Sequence, residues 1–375
     1  MSNSFLTVEE IAREGLLRLR NNLVMAQLVH RDHSDEFASR GDTIQIKKPA
    51  TFEAKDFSSS ISTQDIVEDK VNVQMDKIAD VSVEVESKEL TMNINDFGKQ
   101  VVEGAMVALA QKIDEDIMKL YKGVPYKSGT LGEDIEKVKD LAQARKVLNK
   151  NKVPFGNRYA VWCPEAEANL LTLDEIIHAE KSGGTQGLRE ASMGRVMGFE
   201  NFMSQNVPEH DPGSWKDQSP KVDSSHSKGA TELGVKNLTS GNHEIKVGDV
   251  FTIQDTEGVY VVTKGVDSSA ASGTTEDIEI YPGLAEDVAN EKNITVLDKH
   301  DANLAFHRNA FALVNRPMAL PLGGAVGEVV SYNGLSIRTT MGYGMSDKKN
   351  TISFDVLYGT KVLQPELAVR VGGDS

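Results

Sequence analysis

An α+β fold is predicted, with long helical and long strand-like stretches in one chain and a small β module. Three observations predict it. Residues 71–85, VNVQMDKIADVSVEV, place Val71, Val73, Met75, Ala79, Val81, Val83 and Val85 on odd positions, with polar side chains filling most of the even ones. Residues 94–122 carry Val102, Met106, Leu109, Ile113, Ile117 and Leu120 at the spacing of one helical face. Four short strand-like runs then crowd into 243–298, the mark of a small barrel or sandwich.

The period-two stretch is unusually long. A strand has about 5–6 residues as a rule, whereas this one could reach on the order of 50 Å at roughly 3.3 Å per residue. With 43–52 (TIQIKKPATF) going out and 71–85 coming back, the simplest assembly is one two-stranded arm. The polar, serine-rich 53–66 (EAKDFSSSISTQDI) forms its tip. A lone two-stranded ribbon is barely stable in water, so it needs a surface to lie on.

The other elements follow in order. Residues 7–30 read as one amphipathic helix, opened by a capping box of Thr7 and Glu10. The long helix 94–122 is capped by Asn95 or Asp96 and stopped by Gly123-Val124-Pro125. A second helix covers 133–150. Residues 157–164 (NRYAVWCP) form a short buried strand, and Pro164 opens the next helix. Glycine turns surround 194–208. Residues 209–243, poor in apolar side chains, read as a linker or long loop. The four runs 243–253, 258–265, 276–282 and 292–298 make the β module, and 310–318, 334–344 and 351–363 are further strands. No repeat of 20–50 residues is present.

Composition narrows the function. The 375 residues are 39% hydrophobic and 26% charged, which suits a folded chain with a large core. No apolar run approaches the roughly 20 residues of a membrane span, and the N-terminus does not read as a secretory signal. Cys163 is the only cysteine, so there is no internal disulfide, which fits a reducing cytoplasm. The net charge of −15 argues against wrapping nucleic acid through a basic surface. Residues 209–299 hold 17 Asp+Glu and 8 Lys+Arg, so more than half of the net charge sits on a quarter of the chain. That stretch is expected to be a separate, well-solvated module.

Candidate chemistry is sparse. His30 and His33 stand three apart, not at the four-residue spacing of a helical zinc pair, and have no evident third ligand. His178-Ala179-Glu180 lacks the downstream cysteine pair of a zinc deaminase. Cys163 ends an apolar strand and reads as a buried small hydrophobe. The glycine-rich 182–187 and 321–328 fit neither a P-loop nor a dinucleotide fingerprint and read as loops. Asp114 and Asp116 on the long helix read as part of a solvent face. No catalytic, cofactor-binding or metal site is therefore expected.

Three segments carry a family resemblance. Gly194-Arg195-Val196-Met197-Gly198-Phe199-Glu200 with Met203-Ser204-Gln205-Asn206-Val207-Pro208 is similar to a run in the P-twenty-two-like coat proteins. Lys246-Val247-Gly248-Asp249-Val250-Phe251-Thr252-Ile253 resembles the opening of the domain those proteins insert. Asn303-Leu304-Ala305-Phe306-His307-Arg308-Asn309-Ala310-Phe311, ending in Arg316-Pro317, looks like the segment after that insert. With the long arm ahead of them, they resemble in order the tailed-phage major capsid proteins of the Hong Kong 97-type fold.

The resemblance implies a division of the chain: N-terminal arm 1–40, E-loop 41–90, peripheral domain with spine helix 91–135, axial domain 136–208, inserted β-barrel-like domain 209–299, and a return through axial and peripheral domains over 300–375. It implies a coat protein that is not an enzyme, self-assembling into pentamers and hexamers of an icosahedral phage head around double-stranded DNA. The E-loop would lie on a neighbouring subunit, with Lys47, Lys48, Phe52, Lys55 and Phe57 as intersubunit residues. Implied partners are other copies, a scaffolding protein, a portal ring and, as a further candidate, a decoration protein. The DNA is held without sequence-specific contacts, there is no membrane, and assembly takes place in the host cytoplasm. Nothing singles out one arm lysine, so no cross-link is expected. Rival readings are the shell protein of a cellular nanocompartment, or a monomeric ligand-binding or enzymatic protein using the β module.

Overall fold

The computed structural model of the protein describes residues 8–31, 43–47, 70–86, 101–178, 186–238, 244–266, 275–321, 326–332, 334–344 and 349–374. The chain divides into two compact units. One comprises Met1–Ala26, His30–Ile113 and Ala312–Leu363; the other comprises Gln27–Val29, Asp114–Phe311 and Gln364–Ser375.

The first unit is built on the strand Lys349–Val362, which pairs antiparallel with Lys77–Glu86 on one side and Leu335–Gly344 on the other. Val326–Tyr332 extends the sheet beyond Leu335–Gly344, and Phe311–Arg316 joins Lys349–Val362. The helix Val8–Asn22 packs on Val326–Tyr332 and Leu335–Gly344. It buries Ile11, Ala12, Leu16 and Leu19 and keeps Glu9–Arg13 and Glu14–Arg18 pairs one turn apart on its wet side.

The single helix expected over 7–30 is interrupted: Val8–Asn22 ends, and a short helix Met25–Leu28 follows. The Asn22 side chain donates to the Arg18 carbonyl at 2.8 Å, a local bond that competes with helix continuation. Thr7 and the Glu10 side chain of the expected capping box lie outside the described residues.

The single long ribbon strand is also corrected. Lys70–Gln74 pairs with Thr43–Lys47, but the chain then leaves the pairing at Met75-Asp76. Lys77–Glu86 runs instead against Lys349–Val362, from Lys77 opposite Tyr358 to Glu86 opposite Lys349. The period-two pattern was right for the backbone state, but it cannot say which strand lies opposite. The base of the ribbon also finds its surface on its own chain: Ile46, Val73 and Met75 pack with Ala312, Val314 and Leu363. The crossing is tight, since a Cβ on Gly359 would lie 2.2 Å from the Gln74 carbonyl oxygen. The arm tip 53–66 lies outside the described residues.

The long helix is described as Glu103–Met118, tightening into the turn Lys119–Gly123. Its expected caps Asn95 and Asp96 lie outside the described residues. Met106, Leu109, Ile113 and Ile117 are buried as the stripe requires. Asp114 and Asp116 are not on a solvent face: they are 1% and 6% exposed. Side-chain burial runs further around this helix than its apolar stripe alone indicates.

Among its described residues the second unit holds two six-stranded sheets, together with the short antiparallel pair Glu209–His210 and His300–Asp301. The first orders its strands Lys127–Ser128, Ala368–Val371, Leu304–His307, Arg158–Trp162, Phe199–Met203 and Arg195–Val196. Helices Val138–Lys150 and Pro164–Leu171 share one core with it, including Leu141, Leu148, Trp162, Leu170, Ala305 and Val369. Met197 and Gly198 both take positive φ and make the two-residue turn of the hairpin between Arg195–Val196 and Phe199–Met203. Cys163 is the N-cap of Pro164–Leu171, its Sγ accepting from the Ala166 amide at 3.4 Å. Burial pushes its thiol pKa up, in keeping with a packing role.

The second sheet orders Ile294–Val296, Val250–Ile253, Val259–Lys264, Glu276–Tyr281, Glu232–Lys236 and Lys221–Val222. Its outer strands meet where the Val222 amide bonds the Lys292 carbonyl and the Ile294 amide bonds the Pro220 carbonyl, each at 2.9 Å. The result is a nearly closed six-stranded barrel. The reading of 209–243 as a linker is corrected here, because Lys221–Val222 and Glu232–Lys236 are barrel strands. The apolar residues of that stretch are few, but Trp215, Val222, Leu233, Val235 and Leu238 all enter the barrel core. Position, not abundance, made this segment structural.

Candidate assembly surfaces and the buried junction of the barrel

Of the five arm residues expected to contact other subunits, only Lys47 is described, ending Thr43–Lys47 opposite Lys70. Lys48, Phe52, Lys55 and Phe57 lie outside the described residues. The described part of the arm is thus its base, two short strands seated on the first unit.

The most elaborate polar constellation in the second unit is enclosed, where the barrel meets the body sheet. Tyr121 Oη lies 2.8 Å from His210 Nδ1, and His210 Nε2 lies 2.9 Å from Asp249 Oδ1. The other carboxylate oxygen of Asp249 accepts from the Gly213 and Lys246 amides at 3.0 and 2.9 Å. Arg370, fully buried, donates from Nη2 to the carbonyls of Tyr121 and Gly248, each at 2.9 Å, and stacks over the Tyr121 ring. Burial lowers its pKa to about 10, against the opposing pull of Tyr121 and Asp249. Gly248, at φ +101°, passes so close to Lys122 that a Cβ would lie 2.7 Å from its Cγ. The Gly-Asp pair therefore has a physical cause: glycine makes the turn and the close approach, and aspartate ties the turn to the body.

A tyrosine–histidine–aspartate chain has the connectivity of a proton relay, but here the phenol, imidazole and carboxylate are all consumed by one another. Tyr121, His210 and Asp249 are each less than 5% exposed. The neighbouring polar cleft, bordered by Cys163, His300, Asp301 and Asn303, has a volume of about 60 Å³. That is room for a water or two rather than a substrate. Among the described residues no group of three or more His, Cys, Asp or Glu side chains could hold a metal ion. The constellation acts as a clamp between barrel and body. Sequence reasoning passed over Tyr121, His210, His300 and Arg370; only Asp249 carried a signal, through its motif.

His300 gives the clamp a pH dependence. Its ring lies 5.1 Å from that of His210, and its Nδ1 is 2.8 Å from the Asp298 carbonyl. Burial lowers its pKa from 6.5 to about 4, with Arg370 and His210 adding to the shift. Between these values the unfolded chain binds a proton that the folded one refuses, so stability is full above pH 6.5 and falls as the pH drops towards 4. The loss attributable to this group is about 3 kcal/mol. Denaturant unfolding at stepped pH should show this slope in the parent chain and a flatter one in His300→Phe. Equal slopes in the two proteins would refute the assignment.

The outer surface offers apolar side chains in both units. In the first, Leu17 and Tyr332 are 58% and 61% exposed beside a groove of about 300 Å³, with Arg20 stacked over the Tyr332 ring. In the second, Phe155 and Met197 are exposed. Phe155 lies beneath the Arg158 guanidinium, and the Met197 carbonyl accepts from Arg145.

The family model described as P22 coat protein, gene protein 5, matches residues 1–207 and 231–373. None of the curated proteins matches the chain. A solved structure from Mycobacterium phage Che8 is similar at 17% identity and a TM-score of 0.50, over 92% of this chain and 90% of that one. The capsid structure of the cyanophage P-SCSP1u is similar at 14% identity and a TM-score of 0.45, over 90% and 85% of the two chains. The mature capsid of bacteriophage PhiM1 follows at 10% identity and 0.44, over 88% and 82%. The fold is that of the Hong Kong 97-like phage capsids, with the barrel as an insert.

Proposed function

Because this chain belongs to the P22 coat protein family and is the major capsid protein of a tailed-phage head, we propose that its copies close into pentamers and hexamers of an icosahedral shell around double-stranded DNA. The protein is structural, not an enzyme, and assembles with itself. The observation that supports the finer reading is the ribbon. Thr43–Lys47 and Lys70–Gln74 pair for five residues, and 22 further residues, 48–69, connect them. A connection of that length is far more than the two to five residues a hairpin needs.

In this reading 41–90 is the E-loop, reaching a neighbour through Lys47, Lys48, Phe52, Lys55 and Phe57. Residues 1–40 are the arm, 91–135 the peripheral domain, 136–208 with 300–375 the axial and returning parts, and 209–299 the insert. A scaffolding protein assists assembly, a portal ring occupies one vertex, and a decoration protein is a candidate for the outer face. The net charge of −15 suits a container that must not grip its DNA.

Electron microscopy of the purified chain after sizing, with and without the scaffold, tests the reading. Closed shells or sheets of regular rings are expected. Deleting 53–66 should abolish or weaken the lattice while leaving the monomer folded by circular dichroism. A monodisperse monomer or dimer from the intact chain under both conditions would sink the proposal.

A further inference from the structure

Two segments of the second unit carry opposite and unmixed charge. Residues 145–158 hold Arg145, Lys146, Lys150, Lys152 and Arg158 and no acid, in a chain whose net charge is −15. Residues 163–177 hold Glu165, Glu167, Asp174 and Glu175 and no base. The strand Arg158–Trp162 separates them: the basic segment leads into it and the acidic one leaves from its far end.

Both segments present exposed charges. Lys146 and Lys150 are exposed one turn apart on Val138–Lys150, and Lys152 is exposed just beyond it. Glu165 and Glu175 are exposed on Pro164–Leu171 and Asp174–Ile177. Among the described residues none of these five forms an ion pair, and the neighbouring Asp174 carboxylate lies 3.6 Å from His178 Nε2. Each segment also exposes an apolar side chain: Phe155, 67% exposed, follows Lys152 by three residues, and Ala168 is exposed on Pro164–Leu171.

Two different, mutually complementary patches on one subunit form a head-to-tail contact, and a head-to-tail contact that closes makes a ring. We infer that the basic face of Lys146, Lys150 and Lys152 docks on the acidic face of Glu165 and Glu175 of a second copy of this chain, and that this contact closes the capsomer ring. The inference rests on the reading of the chain as a self-assembling coat protein and names the surfaces that reading leaves open. A second copy fits better than nucleic acid, because the acidic counterpart is present on every copy at equal number. Exposed charges meeting across an interface set register and reject wrong partners.

Four chains test it: the parent, Lys146→Glu with Lys150→Glu, Glu165→Lys with Glu175→Lys, and all four changes together. Assembly is read by sizing and electron microscopy at low salt, and folding by circular dichroism. Each pair is expected to raise the protein concentration needed for assembly by about tenfold or more, because like charges then face each other. The fourfold chain, with its charges exchanged, is expected to recover assembly. Where a reversed pair fails to fold, Lys146→Gln with Lys150→Gln is used instead and should lose the salt dependence that the parent's assembly shows.

If a folded pair variant assembles like the parent, or the fourfold chain fares no better than the pairs, the contact is refuted. If the lysine pair variant forms normal shells and loses only retained DNA, the basic face belongs to the cargo and the contact is likewise refuted. Failure of the parent itself to assemble would instead overturn the coat reading.

Discussion

Replacing Asp249 with alanine should destabilise the subunit by about 3–5 kcal/mol, the cost of removing one member from a buried charged network. Asp249 is fully buried and accepts from His210, the Gly213 amide and the Lys246 amide. Alanine leaves those three donors without acceptors, and each buried unsatisfied group costs about 1–3 kcal/mol. It also removes the negative charge that helps hold Arg370 in its protonated form. Denaturant unfolding of the unassembled subunit, followed by barrel tryptophan Trp215 emission, would measure the loss. Asp249→Asn should cost less, since it keeps the shape and one oxygen. A change below about 1 kcal/mol in Asp249→Ala would place the clamp's stability elsewhere.

Gly359→Val is the second large effect, and it acts on the base of the two-stranded ribbon. A Cβ at this position would meet the Gln74 carbonyl oxygen at 2.2 Å, the Gln74 carbonyl carbon at 3.0 Å and the Met75 Cα at 3.2 Å. All three are backbone atoms, so no rotamer change relieves the overlap and the ribbon must lift. Lifting exposes Val73, Met75 and Ile46, which are now buried against Ala312, Val314 and Leu363. A cost of about 3 kcal/mol is expected, at the upper end for overpacking, with earlier proteolysis of the arm and poor assembly. Gly342→Ala is the control, because nothing lies within 4 Å of a Cβ there. If Gly359→Val matched Gly342→Ala in stability and protease resistance, the tight crossing would be disproved.

How much of this was legible in the residues varies with the range of the interaction. The helix at Glu103–Met118, the Cys163–Pro164 helix start and the four barrel strands after 243 are local outcomes of periodicity and capping. They depend on neighbours within a few positions, which a sequence displays directly. The barrel strands Lys221–Val222 and Glu232–Lys236 were hidden because short strands in a polar stretch give too few alternations to register. No motif linked His210, His300 and Arg370, since they lie far apart in the chain and only folding brings them to Asp249.

Legible in the residues without coordinates were the α+β class, the β module after 243 and the family to which the motifs point. Tertiary structure alone decided that 71–85 splits between two partners, that Asp114 and Asp116 are buried, and that the barrel is held by an enclosed charged clamp. The physical reason is that backbone state and amphipathicity are set by adjacent residues, whereas strand partners and buried charge pairs are chosen by packing across the whole chain.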